Sequence, residues 1–167
     1  MGPLQSLWAI ALVGSVLGSG SVSSSTAIRL SNDRIREVFA FAMSHSPSFR
    51  DLVATLEQTE HVVYVEEGRC RGVEHGSCLQ VPLRASKTLV VRMNPRLPMR
   101  AAAAQLAHEL YHAAEVAREP DVTDEASMRE LYARIGEKSC ADGYRACWDT
   151  RAARAFETLV NSQLTKR

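Results

Sequence analysis

The chain has 167 residues, 46% hydrophobic and 23% charged, which suits one globular domain with a core of its own and excludes a disordered or fibrous chain. Twenty Lys and Arg against 19 Asp and Glu leave a formal net charge of +1, without the excess of basic charge on which nucleic-acid binding depends. No nucleic acid partner is expected, and the lack of a glycine-rich loop or an internal repeat leaves nucleotide cradles and solenoid arrays without support.

Met1 to Ala27 carries no charged side chain, and Leu7 to Leu17 is an apolar run followed by Gly18, Ser19, Gly20 and a serine cluster. The run is too short for a membrane span, which needs about 20 apolar residues, and it is interrupted by Gly14 and Ser15. Residues 1–27 therefore read as a signal peptide, and 28–167 as a single domain, secreted or periplasmic, with no membrane span in the mature chain. The four cysteines fit export. Cys70 and Cys78 bracket one short segment, Cys140 and Cys147 another, and neither pair has the CxxC spacing of a zinc ribbon, so two local disulfides, 70–78 and 140–147, are expected.

Ser31, Asn32 and Asp33 can cap a helix in which Ile35, Val38, Phe39, Ala42 and Met43 share one face. Ser46 and Pro47 supply a cap and a first-turn proline for a second helix, with Phe49, Leu52, Val53 and Leu56 at the same spacing. The period then changes. Three short β-branched runs, His61 to Val65, Leu79 to Leu83 and Thr88 to Met93, read as strands of a small antiparallel sheet, and Pro82 marks the middle one as an edge or irregular strand.

After Asn94 to Pro98, the stretch from Met99 to Glu119 contains neither glycine nor proline and is predicted as the longest helix. A further helix runs from Thr123 to Ile135 and ends at Gly136. The last runs from about Thr150 to Leu164, with Ala152, Phe156, Leu159, Val160 and Leu164 on one face. The pattern predicts an α+β domain.

His108-Glu109-Leu110-Tyr111-His112, inside the long helix, is an HExxH motif. Residues four apart stand one turn above each other, so two imidazoles can present nitrogens to one Zn²⁺ at about 2.0–2.1 Å, with Glu109 beside them as a general base toward water. A catalytic zinc also needs a third protein ligand and an open position. Glu157 is the first candidate, because it sits on the shoulder of the last helix's apolar stripe, where a carboxylate needs a partner. Glu125, in the first turn of its helix, and Asp142, between the last two cysteines, are the alternatives. His45 and His61 are read as non-functional.

Ala107 to Ala113 resembles the active-site helix of the zincin metallopeptidases, and a glutamate ligand on a later helix resembles their gluzincin branch. The metzincin extension is absent, since Glu115 and Arg118 stand where its glycine and third histidine would be, and no GTxD motif of the aspzincins follows Cys140. The resemblance implies peptide-bond hydrolysis of a peptide or protein substrate by a zinc-dependent peptidase. It also implies a substrate extended along the strand before the active helix, here Thr88 to Met93, and an oxyanion partner for which Tyr144, Tyr132 and His75 are candidates. The alternative is a non-enzymatic, disulfide-stapled secreted binding domain with structural zinc or none.

Overall fold

The computed structural model describes residues 27–70, 77–82, 87–138 and 148–165. Residues 1–26 of the 1–27 signal-peptide reading, the pair Cys140 and Cys147, and Asp142, Tyr144 and His75 lie outside the described residues.

The chain opens with strand β1 (Ile28–Leu30), then α1 (Asp33–His45) and α2 (Pro47–Glu57). Asn32 accepts from the Ile35 amide to start α1, and Ser46 ends α1 and caps α2 by accepting from the Phe49 amide, so one residue turns the chain between the two helices. Strands β2 (Val62–Glu67), β3 (Cys78–Gln80) and β4 (Thr88–Met93) follow, then the long helix α3 (Met99–Ala117) and α4 (Glu125–Ile135). A two-stranded hairpin of β5 (Glu137–Lys138) and β6 (Trp148–Asp149) leads into α5 (Arg151–Gln163).

The α+β architecture is as expected, but the sheet is mixed rather than antiparallel. Its order is β1-β2-β4-β3; β1 runs parallel to β2 and β2 to β4, and only β3 is antiparallel to its neighbour. The cause is β1. Three residues are too few to show a period of two, yet they pair with Val63 to Val65 and make α1 and α2 the crossover of a parallel unit. The edge expectation for the middle run holds: β3 is an edge strand and ends before Pro82. The Cys70–Cys78 disulfide ties the end of the β2 segment to the start of this strand.

One face of the sheet, with Val63, Val65, Leu89, Val91 and Met93, is buried against the helices, while Tyr64 points the other way and is exposed. Helix α3 lies at the centre and packs on the sheet, α1, α2 and α5. Twelve of its nineteen residues are buried, six of them alanines whose small side chains permit close approach from several sides. It is therefore not a surface helix with solvated histidines. On α5 the inward stripe is Ala153, Phe156, Val160 and Leu164; Ala152 and Leu159, expected on that face, are exposed. No helix among the described residues is long and apolar enough to cross a membrane.

Both ends of α5 are anchored. At its C-terminal end the Gln163 amide oxygen accepts from the Ser46 hydroxyl and the Ser48 amide, and its nitrogen donates to Ser48 Oγ at 2.8 Å. At its N-terminal end β6 and Thr150 stand against α3, which brings Asp149 to the HExxH segment.

Candidate metal centre

His108, Glu109 and His112 are all buried, with 8%, 4% and 7% of their surface exposed. Their spacing works as the helix geometry requires: the rings pack edge to face at 4.7 Å, and His108 Nε2 and His112 Nε2 are 3.1 Å apart. The third atom in this group comes from β6. Asp149 Oδ1 lies 3.4 Å from His108 Nε2 and 3.3 Å from His112 Nε2.

Two imidazole nitrogens and a carboxylate oxygen converge on one point, an arrangement that a shared cation would satisfy. Asp149 Oδ1 is buried and makes no hydrogen bond despite both nearby nitrogens. Ligands held tetrahedrally at about 2.0–2.1 Å from a zinc ion stand about 3.3 Å from one another, which matches the triangle of 3.1, 3.3 and 3.4 Å. Two imidazoles and a carboxylate also suit zinc chemically, and three protein ligands leave a fourth corner open.

Glu157, expected as the third ligand, is at the site but in another position. Its Oε2 lies 3.0 Å from His108 Nδ1, the ring nitrogen facing away from the triangle, and the contact is not aligned as a hydrogen bond. Asp149 takes the third corner because the β5–β6 hairpin delivers it there, directly before the α5 cap. Glu125 is exposed in the first turn of α4 and stands outside the group.

His112 Nδ1 donates to Glu115 Oε2 at 2.7 Å, and the Thr150 hydroxyl donates to Glu115 Oε1 at 2.8 Å. Asp149 is held from outside by Arg154, whose Nη1 lies 3.3 Å from Oδ2, and Arg154 also pairs with Glu137 on β5. Tyr132, a candidate oxyanion partner, instead donates its buried hydroxyl to the His112 carbonyl at 3.2 Å and packs edge-on to the His112 ring. Burial, with the nearby Glu115 charge, raises its phenol far above its ordinary value and keeps it a neutral donor.

The electrostatics describe a pocket that attracts positive charge. Burial alone would lower the His112 ring, but the adjacent Asp149 carboxylate, the hydrogen bond to Glu115 and the charge of Glu109 outweigh it and bring the ring up to about 9. Burial alone would raise Asp149; His112, His108 and Arg154 hold it below the usual carboxylate range instead. Burial pushes Glu109 up to about 6 against the pull of both imidazoles, and the charges of Asp149 and Glu157 add to the push.

The strand before the active helix does not offer a free edge. β4 is paired on one side with β2 and on the other with β3, so Thr88 to Met93 cannot accept an added strand; the open edge on that side is β3, which packs on α3. No family model, curated protein or solved structure matches the chain.

Proposed function

We propose that the chain is a zinc-dependent metallopeptidase, with His108, His112 and Asp149 as the metal ligands and Glu109 as the general base. The observation that carries this reading is the triangle of two Nε2 atoms and one unpartnered carboxylate oxygen at tetrahedral spacing, on the same helix as a buried glutamate adjacent to one of the histidines. Zinc held by these three residues would supply Lewis-acid polarisation of a substrate carbonyl and of water. Glu109, buried beside His108, would accept a proton from the water whose oxygen bonds to the carbonyl carbon and return it to the amine nitrogen released when the C–N bond breaks. Glu115, hydrogen-bonded to His112 Nδ1, holds that ring from outside, and Glu157 stands 3.0 Å from His108 Nδ1.

The HExxH resemblance supports a peptide as substrate, and among the described residues β3 is the edge strand to which an extended peptide would add. The Cys70–Cys78 disulfide and the uncharged, apolar amino-terminal segment support export to an oxidising compartment. A Glu109→Gln variant tests the enzyme reading: it is expected to bind one equivalent of zinc and to lose at least about 100-fold in peptide hydrolysis. Retained hydrolysis in that variant would overturn the assignment of the base. Stoichiometric zinc with no hydrolysis by the wild type would favour a structural metal in a binding domain.

A further inference from the structure

Two consecutive residues fasten the start of α5 to α3. Asp149 supplies one corner of the metal triangle, and Thr150 reaches the same helix through Glu115. The Glu115 side chain is 11% exposed, and each of its oxygens has a partner: Oε2 accepts from His112 Nδ1 and Oε1 accepts from the Thr150 hydroxyl. Thr150, itself buried, also accepts from the Ala153 amide at 3.1 Å as the cap of α5.

We infer that Glu115 is a positioning residue of the metal centre: it joins the ring that carries one ligand atom to the backbone segment that carries another. The inference rests on the metal-binding reading above. His112 Nε2 and Asp149 Oδ1 must stay at ligand spacing although they come from elements 37 residues apart, and no covalent link or shared helix enforces that distance. Glu115 does so through two hydrogen bonds of 2.7 and 2.8 Å, the second ending one residue from Asp149. A carboxylate accepting at Nδ1 also fixes the tautomer, leaving the Nε2 lone pair directed at the ion, and makes the ring a stronger donor to it. Tyr132 closes the other side, with its ring edge-on to His112 and its hydroxyl on the His112 carbonyl. The ring is thus clamped by groups from α3, α4 and the start of α5. A plain helix cap would need the Thr150 oxygen only as an acceptor; here its proton is committed to a buried carboxylate.

The test is zinc affinity of the full-length chain, measured by competition with a chromophoric chelator, together with the visible spectrum of the cobalt-loaded protein. Glu115→Ala is expected to weaken zinc binding by about 10- to 100-fold and to shift the cobalt bands as the ligand geometry relaxes. Glu115→Gln, whose amide oxygen can still accept from His112 and whose amide nitrogen can still reach Thr150, should recover part of that loss. Thr150→Ser should behave as wild type, while Thr150→Val should lose affinity in the same direction as Glu115→Ala. If Glu115→Ala does not fold, the Gln and Val variants carry the comparison. Folded Glu115 and Thr150→Val variants with zinc affinity within twofold of wild type and an unchanged cobalt spectrum would overturn the inference while leaving the metal reading intact. A wild-type chain that binds neither zinc nor cobalt would overturn both.

Discussion

At the scale of single residues, the two carboxylates nearest His108 differ in the ring nitrogen they face. Asp149 meets Nε2, the nitrogen that points at the other imidazole, and Glu157 meets Nδ1 on the far side. Removing Asp149 takes away a ligand and leaves two imidazoles; removing Glu157 takes away only a neighbour of one. Asp149→Ala is therefore expected to abolish stoichiometric zinc binding at concentrations that saturate the wild type. Glu157→Ala should weaken it by no more than about 10- to 100-fold. Equilibrium dialysis of both variants checks the order, and a Glu157→Ala protein with the larger loss would restore Glu157 as the ligand. The reversal was hidden in the sequence for a physical reason. Glu157 has an evident periodic context on a helix shoulder, whereas Asp149 stands before Thr150 and an alanine-rich helix, where either residue could be taken for a cap.

Among the secondary-structure elements, the β5–β6 hairpin is what brings Asp149 to α3, and its placement depends on Gly136. A Cβ added at that position would lie 2.7 Å from the Tyr132 carbonyl oxygen and 3.1 Å from the Asp149 carbonyl oxygen, both backbone atoms that cannot rotate aside. Gly136→Ala should therefore push the hairpin away from α4, costing about 1–3 kcal/mol in stability as overpacking does, and should weaken zinc binding because Asp149 moves with β6. Urea denaturation with a zinc titration on the same variant checks both effects; unchanged zinc affinity would show that the hairpin does not set the position of the ligand. The same contrast explains which elements the sequence disclosed. The helices and the HExxH pair are local, written in spacings of three and four residues, and Ser46, Pro47 and Gly136 mark their ends. Parallel pairing of β1 with β2 and of β2 with β4 is non-local, and side-chain alternation is the same for either strand direction. A two-residue strand such as β6 has no period at all, so the element carrying the third ligand left no pattern to read.

For the molecule as a whole, the centre should make stability depend on pH differently with and without metal. In the metal-free protein a proton is the cation available to the cluster. The His112 ring is raised to about 9 from an ordinary 6.5, chiefly by the Asp149 and Glu115 carboxylates overcoming the opposing effect of burial. A group that binds its proton more tightly when folded contributes stability that is fully present below its unfolded value and is lost as pH rises through the folded one. Chelator-treated protein should thus lose stability between pH 6.5 and about 9. Zinc competes with that proton for Nε2, so its affinity climbs over the same interval. At free zinc about 100-fold above Kd the added stability is about 2.7 kcal/mol, which raises Tm by about 5–10 °C in a domain of this size. The separation between zinc-loaded and chelated melting curves should therefore widen from pH 6.5 to 9, and Asp149→Asn, which replaces the carboxylate facing His112 by a neutral amide, should flatten the metal-free limb. Thermal melts in matched buffers decide it: a metal-free Tm that stays level or rises across this interval would mean that His112 does not hold its proton between the two carboxylates.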